Sequence, residues 1–461
     1  MNTRYIGWFG VFRLGLVQTS LGAIVVLTTS TINRIMVVEL ALPALLPGLL
    51  VGLHYAIQLT RPRMGYGSDT GGRRTPWIVG GMLVLGAGGF LAALSTSIIA
   101  THGFAGIALA TVAFLMVGLG VGAAGTSLLV LLAKSVAPRY RGAAASSVWV
   151  MMILGFIVTA VVAGKQLDPF TFERLAIVSG TVSVMAFVVT CIAVMGIESR
   201  VSTASQADDQ EAKAARVARS VREAEIAEAG FMASLKEVWS EPDSRRFSVF
   251  VFVSMLAYSA QDLILEPFAG SVFGMTPGQS TQLSGTQHGG VLSGMLVVAL
   301  FTSVIGGRLF GSLRHWTMVG CIASALALFA LAFGGYASTG FPLQVVVFAL
   351  GLANGMFAVA AIGSMMDLVG RGASQREGVR MGMWGAAQAI AFGLGGVGAT
   401  FAVDVSRALI GDLTAAYGIV FVIQGFLFFW AAKLAAGVYR PAPIETTSQF
   451  SPDQIALETD R

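Results

Sequence analysis

RPRMGYGSDTGGRRTPW, residues 61–77, closes one apolar stretch of the chain and opens another. Within it Gly65, Asp69, Gly72, Arg73 and Arg74 stand at the spacing G-x-x-x-D-x-x-G-R-R. Gly65 permits close helix contact and Gly72 a tight turn, because neither carries a Cβ. Asp69 suits a facing helix end, and the two arginines suit carboxylates or lipid headgroups. A short polar hinge of this kind between long apolar runs belongs to a helical bundle in a membrane.

The rest of the chain agrees. Its 461 residues are 55% hydrophobic and only 11% charged, with mean hydropathy +0.77, against roughly 25% charged residues in soluble domains. The apolar runs recur at lengths that span about 30 Å of hydrocarbon, where backbone groups must be paired within the segment, so they predict helices. The 57 glycines fit helices that approach closely. This composition excludes an ordinary soluble enzyme. Cys191 and Cys321 each sit in an apolar stretch, which implies neither a disulfide framework nor a thiolate metal site. The start, MNTRYIGWFGVFRLG, has no small-residue cleavage site, and Tyr5, Trp8, Phe9 and Phe12 read as interfacial aromatics.

Twelve spans are expected, near 14–37, 43–61, 76–98, 105–133, 143–164, 175–197, 247–268, 287–308, 315–336, 342–368, 380–403 and 414–436. They divide the chain into an N-terminal six-helix bundle (1–197), a cytoplasmic linker (198–246), a C-terminal six-helix bundle (247–438) and a polar, disordered tail (439–461). The linker region, from Ile197 to Arg246, carries 18 of the 53 charged residues. Its apolar series Phe231, Leu235, Val238 and Trp239 suits a helix lying on the cytoplasmic face, or simply a solvated tether. With both termini cytoplasmic, 25 of the 29 lysines and arginines fall on the inner side, leaving Arg34, Lys165, Arg174 and Arg407 outside. That asymmetry sets the orientation and explains the basic pI without any nucleic-acid partner. A weak repeat, PRYRG at 138–142 against QREG at 375–378, predicts two halves related by a pseudo-twofold axis along the membrane normal.

Few residues offer chemistry. In SMLAYSAQDLILEPFAG (254–270), Asp262 and Glu266 are four apart and share a helical face, with Gln261 beside them and Pro267 just after. Intramembrane carboxylates are costly and face a cavity or a partner. Proton coupling, contact with a bound ligand and a structural tie all remain open for them. Gln18, Asn33 and Arg34 lie in the first span, and Arg34 can reach Glu39, Glu266 or Asp262. Of the four histidines, His54 lies in the second span, His102 in the outer loop after the third, His288 at the start of the eighth and His315 near the cytoplasm. Neutral imidazole is a good metal ligand, including for the magnesium of a chlorin; a hydrogen-bonded packing role is the plainer alternative. His54 is the first ligand candidate and His288 the second. No nucleophile–base arrangement or phosphate-binding loop suggests catalysis.

The 65–74 spacing resembles the loop between the second and third helices of the major facilitator superfamily, where it acts as a cytoplasmic latch. Here Thr70 stands in place of the basic residue that commonly follows the aspartate. The interiors of the first and fourth spans lack an acidic residue, and the fifth, WVMMILGFIVTAVVAG, lacks the Gly-Pro motif of drug antiporters, which lowers the weight of proton-driven efflux. A narrower resemblance is carried by RLGLVQTSLG (13–22), GYGSDTGGRRTPWIVGG (65–81) and SLKEVWSEPDSRRFSVFVFVSMLAYSAQDLILEPFAG (234–270). These runs are similar to the PucC/LhaA-type light-harvesting complex assembly proteins, the bacteriochlorophyll delivery branch of that superfamily.

The resemblance implies a non-enzymatic, twelve-helix protein of the bacterial inner photosynthetic membrane. It would assist assembly of antenna complexes, holding or delivering bacteriochlorophyll a as cargo to the antenna alpha and beta polypeptides. Pigment-synthesis enzymes are further implied partners. An apolar groove would hold the chlorin, with His54 or His288 on magnesium. Gln58, Gln261, Asn354 or Gln388 would bond the ring carbonyls, and Asp262 and Glu266 would lie beside the site. A small-molecule transporter and a pigment-free scaffold for antenna polypeptides are the competing readings.

Overall fold

The computed structural model describes residues 5–60, 73–198, 236, 239–302, 312–337, 340–371 and 377–438. All regular structure among them is helical. Helix α1 runs Trp8–Val38 and α2 Leu45–Thr60. The run Thr75–Ser135 is continuous by hydrogen bonding but breaks at His102, where φ is −137° and ψ 61°, so it comprises α3 (75–101) and α4 (103–135). Then come α5 (Arg141–Leu167), α6 (Phe172–Val194), α7 (Pro242–Phe273), α8 (Pro277–Leu300), α9 (Leu313–Gly334), α10 (Leu343–Arg371), α11 (Glu377–Ile410) and α12 (Leu413–Val438).

Among the described residues nine helical runs are long and apolar enough to cross a membrane, one of them the 61-residue run that holds two spans. The short α2 and the polar α8 complete twelve helices there, in the expected six-plus-six order. Turn chemistry separates them. Gly274 closes α7 in the left-handed region at φ 66°. Thr276 and Gln279 form a capping box that starts α8, with Pro277 in its first turn. Thr171 caps α6 through the Arg174 amide.

Two expectations need correction. The eighth helix begins ten residues before the expected 287, because TPGQSTQLSGTQHGG (276–290) is helical. Its polarity suggested a loop, yet α8 turns that face to the other half of the molecule, and hydropathy registers only contact with lipid. His288 therefore lies in the middle of α8, and His102 sits at a kink rather than in an open loop. Of the proposed linker helix, Phe231, Leu235 and Val238 lie outside the described residues, as does the tail.

The helix contacts repeat under the exchange of each helix with the one six places on. Helix α1 packs on α5 and α6 as α7 packs on α11 and α12; the α3–α4 run packs on α2 and α6 as α10 packs on α8 and α9, and α9 on α12. Across the middle, α5 meets α8 and α2 meets α11, again the same contact twice. The second half has one continuous core in which Phe247, Phe250 and Phe268 of α7 pack with Phe357 of α10 and Phe421 and Phe428 of α12. Helices α8 and α10 touch through backbone: a Cβ on Gly351 would overlap the Gln287 carbonyl, and one on Gly355 the Val291 carbonyl.

Candidate functional site

At mid-height the seam between the halves is aromatic and weakly polar. Helix α5 presents Phe156, whose ring meets the His288 ring of α8 edge-on at 4.8 Å between centroids. Opposite, Tyr55 of α2 meets Phe392 of α11 at 5.5 Å, and Phe392 meets Tyr258 of α7 at 5.9 Å. Amides and thioethers fill in: Gln18 Nε2 lies 3.1 Å from Met152 Sδ, and Gln388 Nε2 lies 4.0 Å from Met255 Sδ. Asp262, one turn beyond Tyr258, is half-buried.

His288 has one ring nitrogen already committed. Its Nδ1 lies 2.8 Å from the Ser284 carbonyl oxygen, one turn back on α8. A carbonyl can only accept, so Nδ1 carries the proton and the lone pair of the neutral ring sits on Nε2. A backbone carbonyl behind the ring is the usual second partner of a metal-ligating histidine. The half-buried ring opens onto the seam beside Phe156.

His54 is placed differently. Only 1% of it is exposed, Nε2 is 2.8 Å from Gln58 Nε2, and its ring meets Tyr55 at 4.9 Å. Its backbone lies against Gly118 of α4, where a Cβ would come 2.7 Å from the His54 carbonyl. Of the other residues singled out in the sequence, Gln388 joins the seam, while Gln261 and Asn354 are fully buried. Asn354 accepts a 2.9 Å bond from Ser324 within the second half.

Glu266 is 2% exposed. Around it stand the Ser30, Ser280 and Ser284 hydroxyls and the Arg34 guanidinium. Arg34, 1% exposed, pairs with Glu39 and donates to the Met275 carbonyl at 2.6 Å. Gly270 makes room, since a Cβ there would lie 2.9 Å from the guanidinium. Asn33 donates to the Leu263 carbonyl at 2.7 Å, and the Thr31 and Thr281 hydroxyls are 3.0 Å apart.

Further ties at this end come from aspartates that sequence reasoning passed over. Asp168, just after α5, accepts from the Thr276 hydroxyl at 2.8 Å and the Gly278 amide at 3.3 Å. Asp404 of α11 accepts from the Ala44 and Leu45 amides at 3.0 and 2.8 Å. Both aspartates bond across the halves at the end carrying the 39–44, 168–171, 274–276 and 411–412 connections, and so hold it closed.

At the other end lies the 61–77 hinge. Its Gly65, Asp69 and Gly72 fall outside the described residues. Arg73 is exposed and Arg74 buried at the start of α3. The Arg74 and Thr75 amides donate to the Glu198 carboxylate at 2.6 and 2.9 Å, so a glutamate beyond α6 caps α3. Burial alone would raise the Glu198 carboxyl, but those amide bonds, the Thr75 hydroxyl and the Arg74 charge outweigh it and hold it below the ordinary 4.5. A carboxyl depressed in the folded state stabilises fully above its unfolded pKa, and the gain is lost as pH falls through the folded value. Thermal midpoints between pH 7 and pH 3 should therefore fall more steeply for the parent than for Glu198→Gln.

A family model described as PUCC protein matches residues 31–442. The bacteriochlorophyll synthase 44.5 kDa chain of Rhodobacter capsulatus is 48% identical over 433 residues, covering 94% of this chain and 96% of that one. Protein PucC of Cereibacter sphaeroides is 29% identical over 437 residues, covering 91% and 89%. A crystal structure of a peptide transporter matches with a TM-score of 0.64 at 14% identity, over 95% of this chain and 98% of that one. A nucleoside transporter matches at 0.65 and 12% identity, over 94% and 100%. These two share the fold, that of major facilitator transporters.

Proposed function

We propose, because the chain belongs to the PUCC protein family, that it is a membrane-embedded assembly factor for the bacterial light-harvesting antenna. Its cargo is bacteriochlorophyll, passed to the alpha and beta antenna polypeptides within the photosynthetic membrane, with both termini cytoplasmic. The relative's name contains the word synthase; this reading gives the chain no bond-making step, only the holding of pigment.

The observation that carries the pigment is His288, with Nδ1 committed to the Ser284 carbonyl and Nε2 left as the basic nitrogen. A chlorin would supply the magnesium that such a nitrogen ligates. The residues at the seam suit it: Phe156, Tyr55, Phe392 and Tyr258 offer ring faces and edges, and Gln18 and Gln388 offer amide donors for ring carbonyls. His54, enclosed and engaged with Gln58, is the poorer ligand of the two.

The test is an absorption spectrum with pigment extraction on the protein purified in mild detergent from a pigment-producing host. Near-stoichiometric bacteriochlorophyll that survives a second sizing step is expected. A colourless preparation that still retains antenna polypeptides would move the reading to a scaffold, and one lacking both would move it to a transporter.

The scaffold reading has one observation of its own. Between α3 and α4 a shallow apolar depression of about 440 Å³ opens on the outer surface, with Gly80, Gly81, Gly120 and Ala123 in its lining and Trp77 beside them. Small residues let another helix approach closely in a membrane. A Cβ on Gly80 would touch nothing within 4 Å, so Gly80→Leu fills the depression without disturbing the fold. Under the pigment reading this variant should keep its pigment at the parental ratio. If the depression also seats an antenna helix, co-purified polypeptide should fall severalfold.

A further inference from the structure

The two aspartate ties at the closed end are one contact made twice. Helices α5 and α11 correspond under the pseudo-twofold relation, as do α8 and α2. Asp168, at the end of α5, sits on the first turn of α8; Asp404, near the end of α11, sits on the first turn of α2. Each places a carboxylate from one half on the N-terminus of a helix from the other. Backbone amides lack partners there, and the helix dipole favours negative charge.

No sequence motif is shared: LDPF at 167–170 and VDVS at 403–406 have only the aspartate in common. Beneath each carboxylate the helices touch through glycine. A Cβ on Gly164 would come 2.7 Å from the Gly278 carbonyl, and one on Gly278 would overlap the Asp168 carboxyl. On the other side, a Cβ on Gly48 of α2 would overlap the Thr400 hydroxyl of α11. Close crossings and charged caps thus coincide at both places.

A cap supplied by the helix's own chain, as Thr276 supplies for α8, survives any motion of the halves. A cap supplied from the opposite half is lost as soon as the halves part at this end. Its free energy therefore belongs to the closed arrangement alone. We propose that Asp168 and Asp404 are paired latches that hold this end shut, and that the chain has a second state in which it opens. Lysine and arginine bias makes this the outer end. The proposal stands independently of what the seam binds.

Pulsed distance measurements on the full chain in nanodiscs test it, with spin labels at Phe104→Cys and Tyr336→Cys. These residues are 88% and 62% exposed at this end of the two halves; Cys191→Ser and Cys321→Ala remove the native thiols. Asp168→Ala and Asp404→Ala should each raise the ratio of long to short distances about fivefold, the effect of losing one N-terminal cap. The double variant should multiply the two effects. Asparagine at either place keeps one acceptor oxygen and should restore part of the closed population. A double-alanine distribution that superposes on the parent's overturns the proposal, as does lost thermal stability with no longer component. Where the double-alanine protein does not purify, the double-asparagine protein decides by the same criteria.

Discussion

His288→Leu should lose the pigment proposed for the seam and keep its fold. The ring is half-buried at the seam, and beyond the Ser284 carbonyl its polar role falls to Nε2. Leucine fills similar space against Phe156 and takes away the ligating nitrogen together with the Nδ1–H bond to a carbonyl within its own helix. We expect the pigment-to-protein ratio after a second sizing step to drop at least tenfold, about 1.4 kcal/mol of retention, with an unchanged elution profile. His54→Leu should behave in the opposite sense. That ring is enclosed between α2 and its neighbours and engaged with Gln58, so its loss should lower thermal stability by about 1–3 kcal/mol while the ratio stays within twofold. If the two variants exchange these behaviours, the ligand is His54.

The second large effect concerns glycine. Gly355→Leu should abolish recovery of monodisperse protein, because the added atoms must enter the Val291 backbone. Backbone cannot rotate aside as a side chain can, so α8 and α10 would have to separate along their length. Gly355→Ala should cost about 1–3 kcal/mol from overpacking, partly offset by about 1 kcal/mol of helix propensity. A Cβ on Gly289, also on α8, would meet nothing within 4 Å. Gly289→Ala should therefore be neutral or raise the melting temperature slightly. Sizing-column recovery of Gly355→Leu and detergent thermal shift on the two alanine variants separate close contact from glycine content in general.

The spans, the six-plus-six order and the carboxylate pair on α7 were legible because they depend on local composition and on spacing along one helix. Helix α8 was placed ten residues late for the same reason. A helix that faces another half of its own protein is allowed glutamines, serines and a histidine that lipid would forbid. The order of His54 before His288 comes from position within an apolar run and is decided by the variants above. What distinguishes them is which ring nitrogen is already bonded, and that depends on side-chain rotamers no spacing records. Asp168, Asp404 and Glu198 escaped because each is a single acidic residue outside the apolar pattern. Each has a backbone amide among its partners, 110, 360 and 124 residues away, and an amide leaves no letter in the sequence.

Helix α1 is wound in two phases. Up to Val26 it is an ordinary α-helix, and there Gly15, Thr19 and Gly22 lie against Met151, Met152 and Phe156 of its own half. The turn Leu27–Ile32 is π-helical and takes in one residue more than an α-turn, advancing everything beyond it by about 100°. That advance brings Thr31, Asn33 and Arg34 round to α8 and α7 of the opposite half. One continuous helix thus changes allegiance part-way along, and it does so by the timing of its winding rather than by a bend. The number of residues in 27–32 then matters as much as their identity, for a sequence one residue shorter there would keep every side chain beyond the turn and point them elsewhere.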